Sequence, residues 1–391
     1  MSDYILSTYG RINVTFTHGK GAWLYSDKKR KYLDFTAGIA VNCLGHASPV
    51  LIEALKKQSK KLWHTSNLFK IKEQEMLAKE LCKLSFADKV FFCNSGAEAT
   101  EGLVKIARKY HHSQGNFSKK NIIVLDNAFH GRTITGIQAG SNPSHKDGFV
   151  AKENCSCGFT RVPFENIEKL ENNINQKTAA VLVEPIQGEG GVNVASVNYL
   201  KAIRKLCNKN NILMILDEVQ SGIGRTGKTF AYEWSQIKPD MVGLAKGLGG
   251  GFPIGAILLK NKIALHIKPG SHGSTFGGNQ LASAVSLAVV KEISKKKFLK
   301  NVIDVGSFLE NEIKQLIKEN PSKLKSITGK GLMLGIKCII KNTDLCEKLR
   351  KKGLLVVPAA NNVVRLLPPL NITKIEAKIA ISKIKDVMDK I

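Results

Sequence analysis

ILMILDEVQSGIGRTG, residues 212–227, opens with five apolar residues and drives straight into two acids, Asp217 and Glu218. A short continuous apolar run bounded by polar and Gly-rich sequence reads as a strand buried on both faces. The chain around it repeats the pattern. DKVFFCN (88–94), NIIVLDN (121–127), AAVLVEP (179–185), MVGLAK (241–246) and IGAILL (254–259) are further runs of this kind. Between them lie helical patterns, AEATEGLVKIARKYHH (97–112) and VNYLKAIRKLCNKN (197–210). Strands alternating with amphipathic helices predict an α/β fold with a parallel sheet covered on both faces. Ligands in such sheets bind at the carboxyl ends of the strands, and the polar motifs fall there.

Further out, LYSDKKRKYLDFT (24–36) reads as a hairpin, and VLIEALKKQSKKLW (50–63) as a helix following Pro49. NQLASAVSLAVVKEISKKK (279–297) is a long helix leading into a second unit. That unit holds the strand GLMLGIKCII (331–340), the helix TDLCEKLRKKG (343–353), the strand pair LLVVP (354–358) and NVVRLLP (362–368), and a last helix from Thr373. The expected division is a large domain over 49–280 and a smaller α+β domain over 281–391. Residues 1–48 are expected to pack with the smaller one.

With 391 residues, 43% hydrophobic and 23% charged, the composition is globular, and the chain is long enough to bury a core without disulfides or metal. No stretch of about 18 uncharged apolar residues offers a spanning helix, and MSDYILSTYGRINVTF carries no secretory pattern. Eight cysteines without framework spacing read as reduced thiols in a cytoplasmic protein. The net charge of +27 invites a nucleic-acid reading. Its distribution argues against one: fifty Lys and nine Arg are spread along the whole chain with no basic stripe, which describes a solvated lysine-rich surface.

The chemistry-bearing residues sit at the strand ends. A carboxylate at Asp217, closing a buried strand, is expensive unless it meets a cation or a donor. A protonated pyridine nitrogen is one such partner; a metal is another, but no ligand cluster lies close in sequence. Gln220 follows at short reach. Lys246 ends an apolar strand in MVGLAKGLGGGFPIGA (241–256), where desolvation would lower its pKa and make the amine nucleophilic. NSGAEA (94–99) joins a strand to a helix, so its free N–H groups offer a phosphate site; Ser95 as an N-cap with Glu98 in a capping box is the plainer alternative. VLVEPIQGEGG (181–191) ends a strand in a Gly-rich loop holding Gln187 and Glu189, and HGSTFGGNQ (272–280) is a second candidate phosphate contact.

Together with FHGRT (129–133), these strings resemble the pyridoxal-phosphate (PLP) aminotransferases of fold type I, in the subgroup called class III, over nearly the whole chain. The resemblance implies a large domain with a mostly parallel seven-stranded sheet, a smaller α+β domain, and a homodimer with shared active sites. It implies that Lys246 bonds covalently to PLP and moves the proton, and that Asp217 keeps the pyridine nitrogen protonated. Gln220 would contact the ring hydroxyl and Phe129 would stack on the ring. Ser95, Gly96 and Ala97 would cradle the phosphate, and Thr275 would reach the phosphate of the other subunit. Arg132 would take the substrate carboxylate, with Ser274 nearby, and Glu189 would pair with Arg365 and swing aside. Many relatives carry Thr at the place of Ala97, so a side-chain contact is lost there. SNPSHKDGFVAKENCSCGF (141–159) resembles the family poorly, and Cys155, Cys157 and His145 make an incomplete zinc set.

The implied function is transfer of a terminal amino group to 2-oxoglutarate, with small-molecule amino-acid and 2-oxo-acid substrates and neither a membrane nor a nucleic-acid partner. N2-acetylornithine leads as donor. Succinyldiaminopimelate, succinylornithine, ornithine and 4-aminobutyrate are alternatives.

Overall fold

The computed structural model describes residues 4–150 and 158–391. The six apolar runs become six strands of one seven-stranded sheet. Across the sheet the order is Lys89–Cys93, Gly255–Leu259, Met241–Leu244, Leu213–Asp217, Thr178–Val183, Asn121–Leu125 and Phe159–Val162. Gly255–Leu259 runs antiparallel to both neighbours, and the remaining pairs are parallel. Chain length explains the reversal. Only residues 245–254 join Met241–Leu244 to Gly255–Leu259, and a parallel return takes about a dozen residues or more.

Side chains alternate across the sheet. Leu213 and Ile215 join Leu103, Ile106 and Ala107 of the helix Gly96–His112 in one apolar layer. Met214 and Leu216 join Tyr199, Leu200 and Ile203 of the helix Val197–Lys209 in the other. Every residue of the strands Thr178–Val183, Leu213–Asp217, Met241–Leu244 and Gly255–Leu259 is buried. Burial on both faces is why they read as unbroken apolar runs. Each such Leu or Ile contributes about 1.5–3 kcal/mol by leaving water.

A second sheet, antiparallel throughout, has the order Leu324–Lys330, Met333–Cys338, Val363–Leu366, Val357–Ala359. A third combines the N-terminal strands Phe16–Lys20, Trp23–Ser26 and Lys31–Asp34 with Leu354–Leu355. LLVVP is therefore divided between two sheets. The indole N–H of Trp23 donates to Glu376 at 2.9 Å, tying the N-terminal strands to the last helix, Lys374–Met388. The helix Gln280–Ile293 packs on Pro49–Ser59 and Lys72–Leu84, while Lys296–Glu319 packs on the second sheet and the last helix.

Several elements depart from the pattern in the sequence. The helix read over 279–297 ends at Ile293, and a separate helix, Lys296–Glu319, follows it. The helix from Pro49 ends at Ser59 rather than near Trp63, because the Trp63 indole donates to the Ser59 carbonyl at 2.8 Å. That carbonyl is the one the next helical turn would have used. Phe159–Val162 and Leu324–Lys330 are edge strands, only partly buried, so neither is written as an apolar run.

Candidate active site

The carboxyl ends of the strands enclose a cavity of about 350 Å³. Lys246, Asp217, Phe129, Gln220, Glu189, Ser95, Gly96 and Ala97 all line it, together with His130, Glu184 and Val219. Lys246 leaves its strand with φ +46°, a left-handed conformation that is strained for any residue but Gly. Burial holds its ammonium below the usual lysine range, and Arg365 pushes the same way against the opposing charges of Glu189, Asp217 and Glu184.

Asp217 is 5% exposed. Its Oδ2 lies 2.8 Å from Nδ1 of the buried His130, and its Oδ1 accepts the Val219 N–H at 3.0 Å. His130 Nε2 has no partner among the described residues. Glu218, the second acid of the strand end, faces away. It accepts the N–H groups of Ala231 and Tyr232 and so fixes the turn Ala231–Ser235. Alternation along the strand therefore assigns the two acids different work. Glu184 ends the neighbouring strand and accepts the Phe129 N–H at 2.8 Å. Burial, reinforced by the neighbouring charge of Asp217, raises its pKa well above the ordinary carboxyl value.

Ser95 does cap the helix Gly96–His112: its Oγ accepts the Glu98 N–H at 3.1 Å and donates to Glu98 at 2.9 Å. The N–H groups of Gly96 and Ala97 make no bond among the described residues and open on the cavity at the positive end of the helix dipole. A Cβ at Gly96 would stand 2.7 Å from Val219, so only Gly lets that strand end and the helix start approach so closely.

Glu189 and Arg365 form a two-pronged ion pair at 2.6 and 3.0 Å. The Arg365 side chain is 1% exposed and that of Glu189 34%. Burial would raise the Glu189 pKa, but Arg365 outweighs it and holds the carboxyl below its ordinary value. Arg365 also donates to Gln220 at 3.3 Å, so the Gln220 amide belongs to this cluster as well as to the cavity wall.

Arg132, Ser274 and Thr275 lie outside the cavity lining. Arg132 is exposed, its guanidinium 5.7 Å from the Phe129 ring centre. Ser274 Oγ accepts from Asn94 and from the Gly277 N–H, and Thr275 is exposed on the same loop. Cys155 and Cys157 lie outside the described residues, and His145 stands edge-on to Phe129. His130 and Glu184 are the residues that spacing did not single out. The Glu184 signal was present, since an acid closing a buried strand is the argument that found Asp217.

The residues fit a phosphorylated pyridine. Lys246 supplies an amine and Asp217 an anion steadied by His130. Gly96 and Ala97 supply free amides for a phosphate, and Phe129 and Val219 supply apolar walls.

Comparison with known proteins agrees. The family profile described as "Aminotransferase class-III" matches residues 4–388. The acetylornithine aminotransferase of Mesorhizobium japonicum is 46% identical over 381 residues, 97% of this chain and 95% of its own. That of Methanocaldococcus jannaschii is 45% identical over 388 residues, 99% of this chain and 96% of its own. Among solved structures, ornithine aminotransferase from Toxoplasma gondii superposes with a TM-score of 0.94 at 32% identity, covering 99% of this chain and 93% of that one. A further structure of that enzyme, at a TM-score of 0.95, 32% identity and coverage of 99% and 92%, is described with partial occupancy of PLP at its active site. N-acetylornithine aminotransferase from Stenotrophomonas maltophilia gives 0.86 at 36% identity and 98% coverage of both chains. With a matching profile across the chain and relatives near 45% identity over its length, this protein belongs to the class III aminotransferases.

Proposed function

We propose that the chain is a PLP-dependent acetylornithine aminotransferase. It moves the terminal amino group of N2-acetyl-L-ornithine to 2-oxoglutarate, yielding N-acetyl-L-glutamate 5-semialdehyde and L-glutamate, as a step of arginine biosynthesis. The observation that carries the reading is the Glu189–Arg365 pair beside Lys246. The donor brings an amine whose carboxylate is remote. 2-Oxoglutarate brings a carboxylate beside the reacting carbon. An arginine masked by Glu189 in the first half-reaction and uncovered in the second serves both. The names of the relatives near 45% identity favour the acetylated donor.

Bound PLP supplies the electron sink for charge developing at the substrate carbon. The chain does the rest. Lys246 Nζ holds the cofactor and carries the proton, a task its lowered pKa suits. Asp217, oriented by His130, keeps a cationic ring nitrogen charged. Glu184 anchors the backbone that carries Phe129. Gly96 and Ala97 hold the phosphate through their amides, with Ser95 fixing the helix start. Gln220, which accepts from Arg365, would contact the ring hydroxyl. Arg132 takes the distal carboxylate, with Ser274 on the adjoining loop.

The working unit in this reading is a cytoplasmic homodimer in which Thr275 reaches the partner's phosphate. Two things support it: Thr275 is exposed, and Leu62, Trp63, Leu68, Phe69 and Phe276 are exposed apolar residues. A second donor, ornithine, is favoured by the superposition on ornithine aminotransferases. Exposing the holoenzyme to each amine and following loss of the cofactor's absorbance decides between them. N2-acetylornithine should react fastest. A faster ornithine reaction overturns the donor, and no reaction with any ω-amine overturns the function.

A further inference from the structure

The loop that carries Arg132 is held from three directions. At its start the Phe129 N–H donates to Glu184, and His130 faces Asp217. Gly131, at φ +111°, lies against Ala97 so closely that a Cβ would meet the Ala97 Cα at 3.2 Å. At its far end stands Glu101, which the chemistry above does not use. Glu101 Oε2 accepts the Thr133 hydroxyl at 2.9 Å and Oε1 accepts the Thr135 hydroxyl at 2.7 Å. Thr133 is the N-cap of the helix Ile134–Ala139, accepting the Gly136 N–H at 3.1 Å while its single hydroxyl proton goes to Glu101. Arg132 itself is exposed, and among the described residues its guanidinium has a cation–π approach to Phe129 and no hydrogen bond. An exposed arginine loses rotamer freedom when it grips a ligand, and that cost falls if its backbone is already fixed.

We propose that Glu101 is a positioning residue that sets the direction of Arg132 and thereby the affinity for substrate carboxylates. Glu101 sits one turn beyond Gly96 and Ala97 on the same helix. That helix therefore joins the phosphate end of the cavity to the carboxylate anchor, with the separation fixed by helical geometry. The inference rests on reading Arg132 as the carboxylate anchor. It assigns Glu101 to substrate affinity and leaves cofactor retention to the other contacts.

The test is steady-state kinetics of holoenzyme carrying Glu101→Gln, Thr135→Val, Arg132→Lys, and Glu101→Gln combined with Arg132→Lys. A glutamine has one acceptor oxygen where Glu101 uses two, so Glu101→Gln should raise KM for both the donor and 2-oxoglutarate by roughly tenfold. It should leave kcat within about twofold and the cofactor's spectrum unchanged. Thr135→Val removes one of the two bonds and keeps the Thr133 cap, so a folded protein should show a KM rise in the same direction. In the Arg132→Lys background Glu101→Gln should add less than about twofold, because the two residues act through one contact. Equal effects in both backgrounds, or a fall in kcat with KM unchanged, overturn the proposal and make Glu101 a staple between helices. No KM effect from Arg132→Lys alone overturns the anchor reading instead, whatever Glu101 does.

Discussion

Lys246 holds a left-handed backbone conformation worth about 1–2 kcal/mol of strain and a partly desolvated ammonium. Neither helps the fold, so removing the charge should not harm it. Lys246→Ala should lower transamination by at least about a thousandfold and leave the thermal midpoint unchanged or higher, read by assay and calorimetry on one preparation. Turnover near that of the parent would mean another amine does the work. Glu184 is the mirror case, an acid whose pKa burial pushes up. Glu184→Gln keeps an acceptor for the Phe129 N–H and should retain activity within about threefold. Glu184→Leu leaves that amide unpaired and should cost about 1–3 kcal/mol in denaturant melts. A large loss in the Gln variant would show that Glu184 works as an anion. Glu189→Ala should spare the glutamate half-reaction and slow the acetylornithine one, since Arg365 then stays open to an α-carboxylate. Stopped-flow traces of the two halves check this, and equal losses would leave the pair as an inter-domain salt bridge.

Among the elements, the start of the strand Met241–Leu244 carries an electrostatic staple with three cations on one acid. Asp240, 1% exposed, meets Arg204 at 2.6 Å, Lys260 and Lys262 at 3.1 Å, and the Met214 N–H at 2.9 Å. Burial alone would raise its pKa, but Arg204, the Met214 amide and Lys260 bring it down to about 2. A depressed carboxyl stabilises the fold above its unfolded pKa, near 3.8, and loses that contribution as pH falls toward 2. The contribution is on the order of 2 kcal/mol. Asp240→Asn should therefore cost on the order of 2 kcal/mol at neutral pH, because a neutral amide no longer balances Arg204 and the two lysines. Its deficit against the parent should shrink between pH 4 and pH 2.5, and a deficit constant with pH would show that charge is not the cause. Two-sided burial made the interior strands legible. The edge strands Phe159–Val162 and Leu324–Lys330 are only partly buried and carry no such signature, whereas the edge strand Lys89–Cys93 is buried toward its carboxyl end and does.

For the whole molecule, a net charge of +27 sets self-repulsion against any association of two copies. The loops around 62–69 and 272–277 meet through Asn67 on the carbonyls of Ser274 and Gly277, and His64 packs beside Phe276. Their exposed Leu62, Trp63, Leu68, Phe69 and Phe276 form the apolar surface a partner would cover. Sedimentation should give twice the 42.8 kDa chain mass, with association strengthening as salt screens the lysines. Thr275→Val should lower PLP retention on dilution without changing the melting of the chain. A monomeric enzyme with full activity would sink the shared-site arrangement.

What the sequence determined by itself is local. A strand buried on both faces must be apolar throughout, so the sheet strands, their carboxyl ends and the misfit charges of Lys246 and Asp217 are written in contiguous residues. The antiparallel pairing of Met241–Leu244 with Gly255–Leu259 was not read from the sequence, although the ten residues between them are too few for a parallel return. Phe129, Arg132 and Arg365 came from resemblance rather than from spacing, and so did the role of Glu189. The tertiary structure alone decided which groups meet: His130 with Asp217 across 87 positions, Gln220 with Arg365 across 145, and Thr133 with Glu101 across 32. These contacts depend on the order of strands in the sheet and the path of the loops. Chain separation alone does not settle either, because long crossovers of many lengths can return to the same edge of the cavity.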